Sequence, residues 1–328
     1  MRIAIVTPAP PRSRVGNRVT ATRWARMLGE LGHRCRISIE DDGRPAELLL
    51  ALHARRSASA VRRFRERSSA PLVVALTGTD LYRDLPASVP ARRSLDIADA
   101  LVVLQPLAVD RLRTLCPSWA DKARVIWQSV TPIAEVAPRK RTFDVCVVGH
   151  LRDEKDPLRV ALAARHVPLE SRIRVVQLGG ALTAEWRQRA LREADENPRY
   201  RWLGERPRHE ARRWLGRSRL MVLPSRMEGG AHVISEAIVA DTPILASRID
   251  GTVGMLGGDH PGYFEVGDTM GLAGLMHRAE TDPSFLERLG EAGRRRVSRL
   301  SPEAERRALA RLLEDVAERR STARHRHR

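Results

Sequence analysis

Short apolar runs recur along the chain at 3–7, 48–52, 72–76, 101–104 and 125–127, and between them apolar residues return at helical spacing, at 18–31, 56–67, 91–98 and 107–115. Such alternation predicts βαβ units laid on a parallel sheet. Across 131–141, TPIAEVAPRKR, the pattern lapses into proline and charge, the mark of a linker. A second series follows, with strands expected at 143–148, 173–178, 201–203, 220–223 and 244–246, and helical patterns at 269–300 and 302–318 close the chain. The expectation is an α/β protein of two Rossmann-like domains, 1–135 and 136–300, with a helix over 301–320 returning to pack on the first domain and a disordered basic tail at 321–328. At 328 residues the chain is long enough for two cores of ordinary size.

Ligands of open parallel sheets bind beyond the carboxyl ends of the strands, so the residues that follow each apolar run carry the functional reading. The most informative stretch is 223–246, LPSRMEGGAHVISEAIVADTPILA. Here Val233, Ile234, Ala237, Ile238 and Ala240 recur at helical spacing, so a helix begins near Ala231 behind a Gly-rich loop. The unpartnered N–H groups of its start, at Ala231, His232 and Val233, make an anion site with the helix dipole, and Gly229 and Gly230 let a phosphate come close. Glu228 and Glu236 stand eight residues apart across that site. Glu236 suits the vicinal diol of a ribose, or else is a solvated helix residue. After the run at 143–148 comes GHLRDEKDP, where Lys155 is the only lysine beyond the linker of an arginine-rich chain, which points to a need for a compact point charge.

The first domain offers a second set of residues. The loop at 8–18 is too long for a tight turn and loaded with cations; Arg14 and Arg18, with Gly16 and Asn17, suit a small anion, unless the loop is simply solvated. Thr77, Gly78, Thr79 and Asp80 follow the run at 72–76, with Asp80 equally suited to cap a helix, and Gln105 and Gln128-Ser129 follow two further runs.

Charge changes the picture less than its size suggests. The formal net charge of +18, from 58 basic and 40 acidic residues, raises nucleic acid or an anionic membrane as partners. Arginines and acids are interleaved through every predicted helix, and aromatics make up only 4% of the chain, too few for a base-stacking platform, so neither partner is expected. No apolar run approaches the ~18 residues of a membrane span. The start, MRIAIVTPAPP, reads as a first strand rather than a secretion signal, so a cytoplasmic location is expected. Cys35, Cys116 and Cys146 are odd in number and widely spaced, and read as free thiols. No Asp-x-Asp stands at a strand end, so neither a metal nor a cofactor is expected; the sequence carries no signal for oligomeric state.

Two Rossmann-like domains, a loop with Lys155 after the first strand of the second, and Glu228-x7-Glu236 across a Gly-rich helix start together resemble the GT-B glycosyltransferases, and within them the retaining family 4. The resemblance implies two domains facing each other across a cleft, with a UDP-sugar as co-substrate. It implies that Glu236 holds the nucleotide ribose, that Glu228 contacts the donor sugar, and that Lys155 and a basic neighbour bind the diphosphate. The chain departs from the family's pattern at three points. His150 stands where an arginine is usual, with Arg152 two places on, so the neighbour of Lys155 is one or the other. Gly230, followed by Ala231 and His232, stands where an aromatic residue is usual. The first domain lacks the aromatic or apolar stretches expected of an enzyme with a lipid or polysaccharide acceptor.

The segments VTPAPPRSRVGNRVTATRWA, VVALTGTDLYRDL, VCVVGHLRDEKDP and SRMEGGAHVISEA are similar, more narrowly, to the selenosugar-forming branch of that family. This implies transfer of a sugar from UDP-GlcNAc or UDP-glucose to selenophosphate. A family 4 enzyme acting on a lipid or glycan is the first alternative, and a nucleic-acid-binding protein on a degenerate enzyme fold is a remote second.

Overall fold

The computed structural model describes residues 1–13, 15–132, 137 and 141–326, with side chains as far as residue 318. The chain divides into two compact units, Met1–Gln128 with Pro302–Arg328, and Ser129–Ser301. The boundary falls just ahead of the proline-rich stretch at 131–141, most of which lies outside the described residues.

In the first unit, strands β1 (Arg2–Val6), β2 (Arg34–Ser38), β3 (Leu48–Leu52), β4 (Leu72–Ala75), β5 (Ala100–Val103) and β6 (Ala123–Val125) form a parallel sheet in the order β2-β1-β3-β4-β5-β6. Helices α1 (Gly16–Glu30), α2 (Ala58–Arg67), α3 (Val89–Ile97), α4 (Leu107–Leu115) and α5 (Pro117–Asp121) join them. Strands β3, β4 and β5 are buried along their whole length because helices cover both faces of the sheet, which is why they read as unbroken apolar runs. Trp24, Met27 and Leu28 of α1 fill one face; Phe64, Leu95 and Leu112 fill the other. Strand β2 was not expected from the apolar pattern. Its sequence, RCRIS, is broken by two arginines, and an edge strand paired only to β1 tolerates them.

In the second unit, β7 (Phe143–Val148), β8 (Ile173–Leu178), β9 (Tyr200–Trp202), β10 (Leu220–Leu223), β11 (Ile244–Ser247) and β12 (Tyr263–Phe264) form a parallel sheet in the order β12-β11-β10-β7-β8-β9. The helices are α6 (Arg159–Ala164), α7 (Ala184–Glu196), α8 (Arg208–Arg217), α9 (His232–Val239), α10 (Asp250–Leu256), α11 (Thr269–Thr281) and α12 (Pro283–Arg294). Strand β7 begins this unit yet lies inside the sheet, and the chain reverses its progression between β7 and β10. That reversal is the switch point of a Rossmann sheet, where the loops part and leave a crevice. The pattern at 269–300 is not one helix: Asp282 caps α12 by accepting from the Phe285 N–H at 3.0 Å, and Pro283 cannot continue α11.

The last helix, α13 (Pro302–Arg326), belongs to the first unit, where Leu309, Leu312, Leu313 and Val316 join the face filled by Trp24. Glu305, buried at its start, accepts from Arg23 Nε at 3.0 Å and Trp24 Nε1 at 2.7 Å. The helix continues to Arg326, so the disordered tail expected from 321 is helical over most of its length. Among the described residues no helix is long and apolar enough to cross a membrane, and no group of three or more His, Cys, Asp or Glu could hold a metal ion.

Candidate active site

Lys155 and Glu228 come from loops 73 residues apart in sequence, one following β7 and the other β10, and they meet at the switch point of the second sheet. Lys155 closes a single 3-10 turn (Asp153–Lys155), and the left-handed Asp156 (φ 43°) turns the chain away after it. Its Nζ donates to Glu228 Oε1 at 2.5 Å, and Ser225 Oγ donates to the same oxygen at 2.6 Å. Both partners of the ion pair are largely buried. The two loops are also joined by their backbones, since Arg226 N–H donates to the Glu154 carbonyl at 2.9 Å.

Glycines let the strand ends approach. A Cβ at Gly179 (φ 142°) would collide with the Gly149 carbonyl, so the turns after β7 and β8 sit against each other. A Cβ at Gly251, the second residue of α10, would lie 2.7 Å from both the carbonyl carbon and the Cβ of Glu228, and closer still to its carbonyl oxygen. Glu228 is thus wedged between Lys155 on one side and a bare helix backbone on the other. Of the two candidate neighbours of Lys155, Arg152 lies 3.7 Å from Glu154, while His150 turns its Nδ1 toward Gly180, where that nitrogen is buried without a hydrogen-bond partner among the described residues.

Helix α9 starts at His232, and its N-cap, Ala231, supplies no side-chain cap. Gly229, Gly230, Ala231, His232 and Val233 therefore leave backbone N–H groups at a helix start beside the Lys155–Glu228 pair. Glu236, in the second turn, is buried rather than solvated. Its Oε1 accepts from Arg208 Nε at 2.8 Å, and His232 Nδ1 lies 3.4 Å away. Burial alone would push this carboxyl upward; the contacts with His232 and Arg208 outweigh it and bring it down to about 2. His232 faces Glu236 through Nδ1 and reaches the Ser129 carbonyl through Nε2, at 3.0 Å. Ser129 therefore belongs with the second unit, not with the strand ends of the first as expected from sequence.

In the first unit, Asp80 is fully buried at the start of a π-helical turn (Asp80–Asp84). Its carboxylate accepts from the N–H groups of Ala54 (2.8 Å), Thr77 (2.6 Å) and Leu81 (3.2 Å) and from Thr77 Oγ1 (2.9 Å). Burial pushes this carboxyl upward. The alternative that the sequence also offered, a structural role for Asp80, is the one these contacts describe: Oδ1 holds the Thr77–Gly78–Thr79 turn and Oδ2 ties it to Ala54 beyond the end of β3. His53, directly after β3, takes part in the same bracket. It is buried at a left-handed φ of 76°, with Nε2 3.3 Å from Thr79 Oγ1.

The buried Gln128 donates to Thr20 Oγ1 at 2.7 Å. Gln105 donates to the Tyr82 hydroxyl at 3.0 Å, and its Oε1 is buried without a partner among the described residues. Gly16 and Asn17 open α1 behind an N-cap, Val15, that offers no side-chain bond, and Arg18 carries a buried Nη1 without a partner among the described residues. Arg14 lies outside the described residues. Ser225, Gly251, His53 and Arg208 escaped the reading of the sequence. Ser225 and His53 stood in plain positions just after apolar runs, whereas only the fold brings Gly251 and Arg208 to the site.

Two parallel six-stranded sheets with helices on their faces define a GT-B architecture of two Rossmann-like units, with a cation and a carboxylate joined at the switch point of the second. Similar folds occur in sucrose-phosphate synthase from Thermosynechococcus elongatus (18% identity, covering 97% of this chain and 99% of that one, TM-score 0.81). They occur also in Anabaena HepE in complex with UDP-glucose (14%, 98% and 100%, 0.73) and in a glycosyltransferase from Rickettsia africae (13%, 96% and 98%, 0.75). At these identities the likeness is one of fold alone. The family described as glycosyl transferases group 1 matches residues 132–296, half of the chain, and the chain belongs to it. No curated protein matches the chain significantly.

Proposed function

We propose that the protein is a selenosugar synthase, which transfers the sugar of UDP-GlcNAc or UDP-glucose to selenophosphate in selenoneine biosynthesis. The observation that carries the donor half of this reading is the Lys155–Glu228 pair at the switch point, beside the uncapped start of α9. Lysine has three N–H donors, so one can stay on Glu228 while the others meet the diphosphate. The backbone N–H groups of 229–233 face the same charge, and Glu236 then takes the ribose diol. Membership of the glycosyl transferases group 1 supports sugar transfer, and HepE, of the same fold, is known in complex with UDP-glucose.

The chemistry asked of these groups is electrostatic. As the sugar C1–O bond opens, its electron pair leaves with UDP, and Lys155 and the helix-start amides stabilise the charge gathering on the diphosphate. A selenium lone pair of selenophosphate forms the new C1–Se bond. Selenium is already a strong nucleophile, so no general base is required, in keeping with an Asp80 that is committed to backbone. The acceptor half rests on the similar segments and on Arg18, whose Nη1, buried at the start of α1 and without a partner among the described residues, suits a small anion.

The test is release of UDP with selenophosphate against a panel of sugar and lipid acceptors. Turnover with selenophosphate is the result expected; turnover with the lipid or sugar acceptors alone replaces the proposal by its alternative. Arg18→Ala should raise the selenophosphate requirement and leave UDP binding intact.

A further inference from the structure

Glu236 is held in an unusual way for a residue assigned to bind a neutral diol. It is buried in the second turn of α9, and both of its contacts, Arg208 Nε at 2.8 Å and His232 Nδ1 at 3.4 Å, fall on Oε1. Arg208 is the first residue of α8 and is about half exposed, at 49% of its side chain. Arg212, one turn further along α8, also faces Glu236 electrostatically and is tied to the Thr131 carbonyl. The groups around the carboxylate are thus Arg208 and Arg212 from α8 and His232 from α9. A buried carboxyl with no such partners takes up a proton, and a protonated carboxyl is a weaker acceptor for two hydroxyl groups.

We propose that Arg208 is a positioning residue for the nucleotide: by clamping Oε1 of Glu236 it holds that carboxylate as a fixed anion and leaves Oε2 for the ribose diol. The inference rests on the reading of Glu236 as the ribose acceptor. It adds that α8, and not only the Glu-x7-Glu stretch, decides how well a ribonucleotide is told from its deoxy counterpart. Arg208 acts through Glu236, so its removal should matter more as the pH falls, because burial is then opposed by fewer charges and the carboxyl gains a proton more readily.

Calorimetric titration of UDP and 2′-deoxy-UDP onto the wild type, Arg208→Ala, Arg208→Lys and Glu236→Gln, at pH values of about 7.5 and 5.5, tests it. A charged hydrogen bond corresponds to a preference for UDP of about tenfold or more, expected for the wild type at both pH values. Glu236→Gln should lose it at both. Arg208→Ala should keep part of it at the higher pH and less of it at the lower, with Arg208→Lys in between; should Arg208→Ala fail to fold, the lysine variant carries the comparison. A preference in Arg208→Ala equal to that of the wild type at both pH values overturns the role of Arg208. So does a loss that is the same at both pH values and not relieved by lysine. A wild type that does not distinguish the two nucleotides overturns the ribose reading of Glu236 itself, whatever the variants do.

Discussion

Gly251→Ala is the sharpest single perturbation of the site, because Gly251 has no side chain of its own to meet a ligand and acts through the position of Glu228, against which it packs. The added methyl would stand 2.7 Å from the carbonyl carbon and Cβ of Glu228, at least 0.7 Å short of the 3.4 Å at which ordinary contact begins. Its obstacles are backbone and the root of a side chain, so neither can swing aside. The helix start or the Glu228 loop must therefore move by most of that distance. Overpacking of this kind costs about 1–3 kcal/mol, and for a domain of this size each kcal/mol corresponds to roughly 2–4 °C in Tm. Misplacement approaching 1 Å in a catalytic group costs up to about 100-fold, so turnover should fall by ~10- to 100-fold. The assay is UDP release with circular dichroism melting alongside. Gly274→Ala is the control: a Cβ there meets nothing within 4 Å and the residue is inside α11, so it should be neutral or slightly stabilising. A Gly251→Ala protein that turns over and melts like the wild type refutes the claim that the bare helix start fixes Glu228.

Lys155→Ala removes the cation at the switch point and should weaken UDP binding and turnover by about 10- to 100-fold, the worth of a charge-assisted hydrogen bond; titration with UDP checks it, and unchanged affinity counts against the diphosphate role. Asp80→Asn places an NH2 group against backbone N–H groups that now find carboxylate oxygens, and a buried donor left unsatisfied costs about 1–3 kcal/mol, readable as a lower urea midpoint. His260 is buried, which lowers its pKa from 6.5 to about 4. Below 6.5 the unfolded chain then binds a proton that the folded one refuses, so stability falls as the pH drops from 6.5 toward 4. Denaturant unfolding between those values should follow that fall, and a His260→Gln variant should flatten it.

Much of this architecture is legible in the sequence because both sheets are parallel and covered on both faces. Strands such as β3, β4, β7 and β10 bury every position or nearly so, and such runs stand out from the arginine-rich helices between them. Strand β2 was hidden because an edge strand needs no apolar run, and β12, at two residues, is too short to leave one. The second unit's candidate site was visible as a spacing, Glu228 to Glu236, and as a solitary lysine. What spacing could not convey was partnership: that Lys155 lies on Glu228, that Arg208 clamps Glu236, and that Asp80 is sealed under backbone donors. Those facts depend on which strands are neighbours, and the neighbour relation between β7 and β10 joins residues far apart in the chain.

The most direct measurement is the mass of the product formed when the protein is incubated with a UDP-sugar and selenophosphate. The account predicts a sugar bearing selenium, recognisable by its isotope pattern, in step with the appearance of UDP. A sugar donor left intact under these conditions, together with UDP release when a lipid or glycan acceptor is supplied instead, contradicts it.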